Sequence, residues 1–428
     1  MPEPTTRKTF KYRLCPTAAQ AAQLETIVRV CRELYNAALQ ERRDAWRMQQ
    51  VSINYYQQKA QLPAIRQLRD DCAAIHSQVL QDVILRVDRT FQAFFRRVKA
   101  GATPGYPRFK GRARYISFTY PQWGHGASLV GDRLLLSKIG HLAVRWSRPL
   151  EGMPKTVTIS KEADGWYACF SCAGVPMRPL PLTGEETGID LGLESFATLA
   201  DGRQIENPRP YRKAEQALKR AQRRVSRRKP GSHRRRKAVR LLARKHLKVR
   251  RQRLDQHHKT AFSLVKRYDT IYFEDLQVAN LVQNHHLAKS ISDAGWSQFC
   301  TILAFKAENA GKRAVAVPPA YTSQICSGCG VVVLKGLSVR WHACPDCGTS
   351  LHRDQNAAVN ILRVGQTRQG VRTGSSGDEL RIPCVYVWGM STYDARTIPI
   401  INLREESSRY GDGPYYPQCP FASSCGPG

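Results

Sequence analysis

The chain has 428 residues, 67 of them Lys or Arg and 34 Asp or Glu, which leaves a formal charge of +33, and 42% of its residues are hydrophobic. That apolar share excludes a wholly disordered basic polymer, and the length points to two or three folded units. No apolar run approaches the roughly 18–20 residues of a bilayer span, and the start MPEPTTRKTF has no apolar stretch of a secretion signal, so the charge calls for a polyanion, nucleic acid first.

In chain order, RKTFKYRL (7–14) alternates and is predicted as a strand. After Pro16, Thr17 and Gln20 stand at capping-box spacing and start a helix whose apolar stripe is Leu24, Ile27, Val28, Cys31, Leu34, Tyr35 and Leu39. A second helix is predicted from about Ser77 to Ala100, stopped by Gly101. Its stripe is Leu80, Val83, Ile84, Val87, Phe91, Phe94, Phe95 and Val98, and the aromatics read as core rather than as a base-stacking platform. After GATPGYPRFKGR come short alternating runs: YISFTYP, RLLLSKIG, HLAVRW, KTVTISK and GWYACFSCAG. They predict an antiparallel β unit, a small barrel that RKTFKYRL joins. Cys169 and Cys172 lie three apart on its last strand and face opposite sides, so that CxxC reads as core packing.

The positive charge is concentrated. From Arg209 to Lys259, 22 Lys or Arg accompany only Glu215 and Asp255, so 51 residues carry +20. AEQALKRAQRRVSRRK and HRRRKAVRLLARKHLKVRRQRLDQHHKTAFSLVKRY read as two helices joined by KPGSH. Val239, Leu242, Ala243 and Leu247, then Leu254, Ala261, Leu264 and Val265, form the second helix's stripe. A solvated helix face usually mixes charge signs; this hairpin does not, which favours phosphate contact. The candidate contacts are Arg223, Arg224, Arg227, Arg228, Lys229, Arg234, Arg235, Arg236 and Lys237.

Three acids sit at the ends of regular elements. Asp190, between Gly188 and Gly192, opens a hairpin in TGIDLGLESFATLADG; Glu274 ends the β-rich run of DTIYFEDL; Asp354 lies in the first turn of the helix HRDQNAAVNIL. Singly they read as a turn cap, a solvated strand end and a helix N-terminal charge. Brought together, they can bind two Mg²⁺ ions through oxygen, the arrangement that serves phosphodiester cleavage. Between the last two acids lies Cys326-x₂-Cys329, then 14 residues, then Cys344-x₂-Cys347. Four thiolates make a closed structural Zn²⁺ site, with paired disulfides the alternative, and Gly330 and Gly348 are placed for the positive φ that folds the backbone back toward sulfur. His342 and His352 are then dispensable as ligands. From Gly365 to Gly428, 22 of 64 residues are Gly, Ser or Pro and six Arg balance six acids. That segment is expected to be a weakly ordered tail, in which Cys419 and Cys425 have no role.

TGIDLG, FEDL, SISDAGW (290–296), CSGCG…CPDCG and HRDQNAAVNIL, in this order and with GYPRFKGR upstream, resemble TnpB, the transposon-encoded RNA-guided nuclease family. The resemblance spans Arg7 to about Leu362. It implies a multidomain α+β protein: an RNase H-like (RuvC) α/β nuclease domain with a zinc-ribbon insert, plus an N-terminal antiparallel β-barrel interrupted by a helical recognition domain. The expected divisions are 1–16 and 105–183 for the barrel, 17–104 for the recognition helices, 184–321 and 350–364 for the nuclease with its basic hairpin at 209–267, 322–349 for the zinc ribbon that handles target nucleic acid, and 365–428 for the tail. By motif, Asp190, Glu274 and Asp354 match the metal-binding catalytic acids and Cys326, Cys329, Cys344 and Cys347 the zinc ligands. The resemblance further implies two Mg²⁺, one Zn²⁺, a guide RNA from the transposon end, and double-stranded DNA cut beside a short transposon-associated motif. Base pairing would read the sequence. No membrane or small-molecule substrate is implied, and the setting is a prokaryotic cytoplasm, on the nucleoid. The family often has an acid where this chain has His352. A small type V CRISPR effector shares the nuclease and zinc motifs; a non-cleaving regulator would be expected to lack one of the acids, all of which are present. A conventional transposase places Glu last in its triad, whereas the order here is Asp, Glu, Asp.

Overall fold

The structure is a computed structural model that describes residues 4–336 and 338–372. It opens with β1 (Thr5–Cys15), α1 (Ala18–Gln49), the short helices α2 (Tyr55–Ala60), α3 (Leu62–Leu68) and α4 (Asp70–Ala73), and α5 (Ser77–Lys99). The expected capping box starts α1: the Gln20 amide donates to Thr17 Oγ1 at 3.3 Å and the Thr17 amide to Gln20 Oε1 at 3.0 Å. Next come β2 (Ser117–Tyr120), β3 (Ala127–Val130), β4 (Arg133–Leu136), β5 (Gly140–Arg145), β6 (Met153–Glu162) and β7 (Gly165–Pro176). These six strands and β1 form one curled antiparallel sheet in the order β2-β6-β7-β1-β5-β4-β3. RKTFKYRL is therefore a central strand, its Phe10, Tyr12 and Leu14 turned inward at the period-2 spacing of a pleated strand. The helices and the sheet share a single continuous core, in which Leu24, Cys31, Leu80 and Val87 pack with Phe118, Ile159 and Phe170. Cys169 and Cys172 are both buried, and burial pushes each thiol up to about 11, which fits packing and not ligation.

One expectation about this core fails. Leu80, Val83, Ile84, Val87 and Phe91 of α5 are buried, but Phe95 is 54% and Val98 39% exposed, and Phe94 is half-buried. The covering sheet meets α5 further back, where the Arg86 guanidinium donates to Ser117 O at 2.8 Å and to Thr119 Oγ1 at 2.7 Å. The stripe keeps its period past the point where its cover ends.

The second half is built on β8 (Glu186–Asp190), β9 (Ser195–Leu199), β10 (Gln204–Glu206), α6 (Pro210–Ser226), α7 (His233–Arg267) and β11 (Thr270–Glu274). It continues through α8 (Val278–Leu281), α9 (His285–Ala294), α10 (Trp296–Asn309) and β12 (Arg313–Val317). The five strands form a mixed sheet, β10-β9-β8-β11-β12, in which β8, β11 and β12 are parallel. Helices α7 and α10 pack on it through Ala261, Leu264, Val265, Phe299 and Leu303. A small pair, β13 (Trp341–Ala343) and β14 (Ser350–His352), precedes α11 (Arg353–Arg372). That helix runs eight residues into the segment expected to be tail. Gly365 lets it do so: a Cβ there would lie 2.0 Å from the Tyr272 ring, so the glycine serves close helix–sheet packing rather than a stop. The rest of the expected tail, with Cys419 and Cys425, lies outside the described residues. Among the described residues no helix is long and apolar enough to cross a membrane.

α6 and α7 form the expected hairpin, sealed by Leu218, Ala221 and Val225 against Ala238 and Leu247. Val239, expected in the stripe, is 42% exposed, and the neighbouring Ala238 is buried in its place. At the base of the hairpin a single buried carboxylate, Asp293 at the end of α9, accepts from the Tyr211 amide at 2.9 Å and the Arg212 amide at 3.1 Å. It also pairs with Arg253 of α7 at 3.3 Å. One turn earlier, Arg250 meets Glu162 at 2.6 Å, and Arg251 meets Glu162 at 2.8 Å and Asp164 at 2.7 Å, on the β6–β7 turn. The long helix is thus gripped by both halves of the molecule within four residues, 250–253.

The link between the halves depends on Asp269. Its carboxylate accepts from the Thr183 amide at 2.8 Å and the Gly184 amide at 2.7 Å, and pairs with the buried Lys312 at 3.0 Å. Burial works to raise its pKa, but these bonds outweigh burial and hold it down to about 2. A depressed carboxyl pKa stabilises the fold above the unfolded value near 3.8 and loses that contribution as pH falls toward 2. Asp269→Asn is therefore expected to lower stability at neutral pH and to make little difference near pH 2, checked by urea melts across that range.

Candidate functional site

Asp190 and Glu274 end adjacent parallel strands. Ile189 pairs with Phe273, so the two acids occupy the next position of β8 and β11, where neighbouring strands run about 4.8 Å apart. Carboxyl ends of parallel strands are where open α/β sheets build their sites. Asp354 reaches the same place from the first turn of α11, which lies directly over β8. Gly188 makes that approach possible, since a Cβ there would sit 2.1 Å from Ala358 O. The three acids named from sequence are thus brought together, from chain segments 84 and 80 residues apart.

Their environment is hostile to negative charge. Glu274 and Asp354 are 9% and 8% exposed. Burial pushes the Asp190 carboxyl well above the usual carboxylate range, and the Glu274 and Asp354 charges add to it, against a pull from Arg353 and Arg340. Burial also raises Glu274, opposed by the Thr322 hydroxyl, which donates to Glu274 Oε1 at 2.6 Å. Asp354 Oδ2 lies 3.9 Å from His352 Nδ1, and that ring nitrogen accepts from the Asp354 amide at 3.2 Å. A carboxyl raised by burial and by two neighbouring acids, as Asp190 is, makes a poor protein interior and a good divalent-cation site, because a cation removes the repulsion. The donor set fits Mg²⁺.

The four cysteines also converge. Their sulfurs all lie within 4.8 Å of one another, with Cys326–Cys347 and Cys329–Cys344 each at 3.6 Å. A tetrahedral Zn²⁺ with bonds of about 2.3 Å sets sulfurs about 3.8 Å apart, so the cluster fits it. Gly330 and Gly348 take φ of +84° and +72°, as their positions demand. The Thr349 hydroxyl and amide hold the Cys347 thiol down to about 6, the thiolate form that a metal takes. Among the described residues this is the one group of three or more His, Cys, Asp or Glu whose ligand atoms all lie within 4.8 Å of one another; the carboxylates of Asp190, Glu274 and Asp354 are more widely spaced.

Sequence reading missed what joins the two sites. Asn356 and Asn360, buried one turn apart on α11, reach across to the strand entering the first cysteine knuckle. Asn356 Nδ2 donates to Ile325 O at 2.7 Å, and its Oδ1 accepts from the Ser327 amide at 2.8 Å. Asn360 Nδ2 donates to Thr322 O at 2.8 Å and Ile325 O at 2.6 Å. Thr322 in turn holds Glu274. The one sequence signal was two Asn at i, i+4 inside a helix, where Asn is a weak former that needs a tertiary reason.

The basic candidates cluster around the hairpin turn. Arg223 and Arg224 end α6, Arg227, Arg228 and Lys229 form the turn, and Arg234, Arg235, Arg236 and Lys237 open α7. All are exposed except the half-buried Arg228 and Arg235. Among the described residues Arg223, Arg224, Arg227, Arg234, Arg236 and Lys237 have no acidic partner.

A family model described as "Probable transposase" (OrfB of IS605) matches residues 159–285, and one described as "Cas12f1-like, TNB domain" matches 296–361. A "Helix-turn-helix domain" model matches 1–50, where the structure holds a strand and one 32-residue helix. The chain is 36% identical to a "Putative RNA-guided DNA endonuclease" of Streptomyces pristinaespiralis over 88% of its own length and 92% of the relative's. It is 30% identical to "Putative RNA-guided DNA endonuclease InsQ" of Escherichia coli (strain K12), over 83% and 92%. "TnpB-like protein L79" of Acanthamoeba polyphaga mimivirus is 29% identical over 51% of this chain and 45% of that one. In fold, the chain resembles the protein in a cryo-EM structure of a Cas12f1–sgRNA–target DNA complex. The TM-score is 0.51 at 12% identity, over 84% of this chain and 99% of that one.

Proposed function

Because the chain belongs to the TnpB family, we propose that it is an RNA-guided DNA endonuclease that cuts double-stranded DNA beside a short transposon-associated motif, guided by an RNA from the transposon end. The observation that carries the reading is the meeting of Asp190, Glu274 and Asp354 at one end of a parallel strand pair, where burial raises Asp190 and Glu274 and the two other acids raise Asp190 further. In this reading the mixed sheet of β8–β12 with α11 is the RNase H-like nuclease unit, the cysteine cluster is a zinc ribbon that handles the target strand, and the curled sheet with α1–α5 is the recognition part. The Cas12f1 fold likeness supports that division.

Asp190, Glu274 and Asp354 would hold two Mg²⁺ ions, which supply activation of water and stabilisation of the leaving oxygen in phosphodiester hydrolysis. The chain's own residues do the rest. Thr322 favours the ionised, ligand-competent form of Glu274 against the effect of burial by donating to one of its oxygens. Arg340 and Arg353 offset the negative charge of Asp190. The unpaired arginines of the hairpin would grip a guide–target duplex by its backbone while base pairing reads its sequence.

Co-expression with the flanking non-coding RNA, purification, and challenge with a randomised motif library tests the whole reading. Failure of any RNA to co-purify removes the guide, and cleavage persisting in Asp190→Ala without Mg²⁺ removes the mechanism. The hairpin carries its own prediction. Replacing Arg234, Arg236 and Lys237 by Gln is expected to flatten the slope of log affinity against log salt by about 2–3, with no change in motif preference.

A further inference from the structure

The uncovered end of α5 is an aromatic surface. Phe94 lies 5.3 Å from Phe95 and 5.6 Å from Tyr106, and Phe91 lies 6.3 Å from Phe95 and 5.8 Å from Tyr106, centroid to centroid. Phe91 roots this four-ring cluster in the core; Phe95 and Tyr106 are 54% and 45% exposed, and Phe109 beyond them is 41% exposed. The segment that brings Tyr106 and Phe109 here has no regular structure, but it is pinned. Asn36 of α1 donates to Lys110 O at 3.1 Å and accepts from the Lys110 amide at 2.8 Å. From Phe91 to Arg114 the chain has seven Lys or Arg and no acid. The nearest acid on α5, Asp88, is already paired with Arg42 at 3.0 Å.

Rings this exposed mark a binding surface. A second copy of the chain would bring the same cations against these, and like charges oppose that. A nucleic-acid strand offers the complement, a π face for each ring and a phosphate for each cation. We propose that Phe95 and Tyr106 form a stacking platform for unpaired nucleic-acid bases, with the flanking arginines and lysines taking the phosphates. The platform is a second nucleic-acid contact, on elements other than the basic hairpin. It rests on the nucleic-acid reading above but not on cleavage.

The test uses the full chain and two single strands of about 12 nucleotides, one bearing bases and one abasic with the same phosphates, at roughly 0.2 M salt. Phe95→Ala is expected to weaken the base-bearing strand about tenfold and to leave the abasic strand unchanged; Phe95→Trp keeps the affinity. Tyr106→Ala repeats the result on a residue outside the helix. A photoreactive thymine in the strand should crosslink within 91–109. Equal loss on both strands, no loss on either, or a crosslink confined to other segments overturns the platform. So does a sedimenting dimer that Phe95→Ala dissolves, which would assign the face to a second copy. A base-dependent Phe95 effect in a protein that fails to cleave leaves the platform standing and sinks the nuclease reading alone.

Discussion

Asp190→Asn is expected to abolish DNA cleavage, by roughly a thousandfold or more, and to raise the melting temperature of the metal-free protein. Both follow from the same placement. The carboxyl loses hydration by burial at the end of β8, and it faces Glu274 and Asp354, whose charges oppose its own. The neutral amide keeps the shape and removes one of three repelling charges, a gain of about 1–2 kcal/mol that trades function for stability. The sign is checked by pH. A carboxyl pKa raised in the folded state means that the native protein holds its proton more tightly than the unfolded chain does. Metal-free wild type therefore loses stability as pH rises through that raised value toward neutrality, and Asp190→Asn has a flatter profile there. Millimolar Mg²⁺ should close the gap, because only the wild-type cluster gains from binding a cation. Calorimetry at several pH values, with and without Mg²⁺, reads all of this. A variant no more stable than wild type without metal would mean that the three carboxylates do not share a field.

The second large effect concerns zinc. Cys329→Ser, or chelation, is expected to lower cleavage by about 10² while moving the main melting transition little. Cys329 is exposed, and the ribbon belongs to neither main hydrophobic core, so global stability has little stake in it. The candidate acid site has a large one. Asn356 and Asn360 spend their amides on the chain between Thr322 and Ser327, and Thr322 holds Glu274. When the knuckle loosens, these bonds loosen with it, and Glu274 and the helix carrying Asp354 lose a shared brace. Hydrogen exchange should report this as lost protection at the Ser327 amide, with α7 and β11 unchanged. Unaltered protection together with unaltered cleavage would confine zinc to the ribbon.

What could be read in advance was whatever a short stretch of chain specifies by itself. Thr17 and Gln20 make their box within four residues, and the two cysteine pairs carry their glycines with them. Asp190, Glu274 and Asp354 stand out because each ends an element that its own neighbours define. The residues that went unseen act across distance. Asp293 accepts from Tyr211 in the first turn of a helix 82 residues earlier, and Asp269 holds Thr183 from 86 residues away; neither has a local pattern that names its partner. Phe95 and Val239 show a second limit. Periodicity gives the face of a helix but not the point at which its cover stops, nor the 100° shift that turns Ala238 inward in place of its neighbour.

The grip on α7 has a mechanical consequence. The helix has 35 residues, roughly 50 Å at 1.5 Å per residue, and its fixed turn lies at 250–253. The arm from Arg250 out to His233 is then about 25 Å long, and a tilt of roughly 5° at the pivot sweeps the arginine-rich tip about 2 Å. Load on that tip is returned as torque on one carboxylate, Asp293, and on the turn holding Glu162 and Asp164. A polyanion taken up at the tip is thereby felt where the two halves of the molecule meet, without touching either sheet.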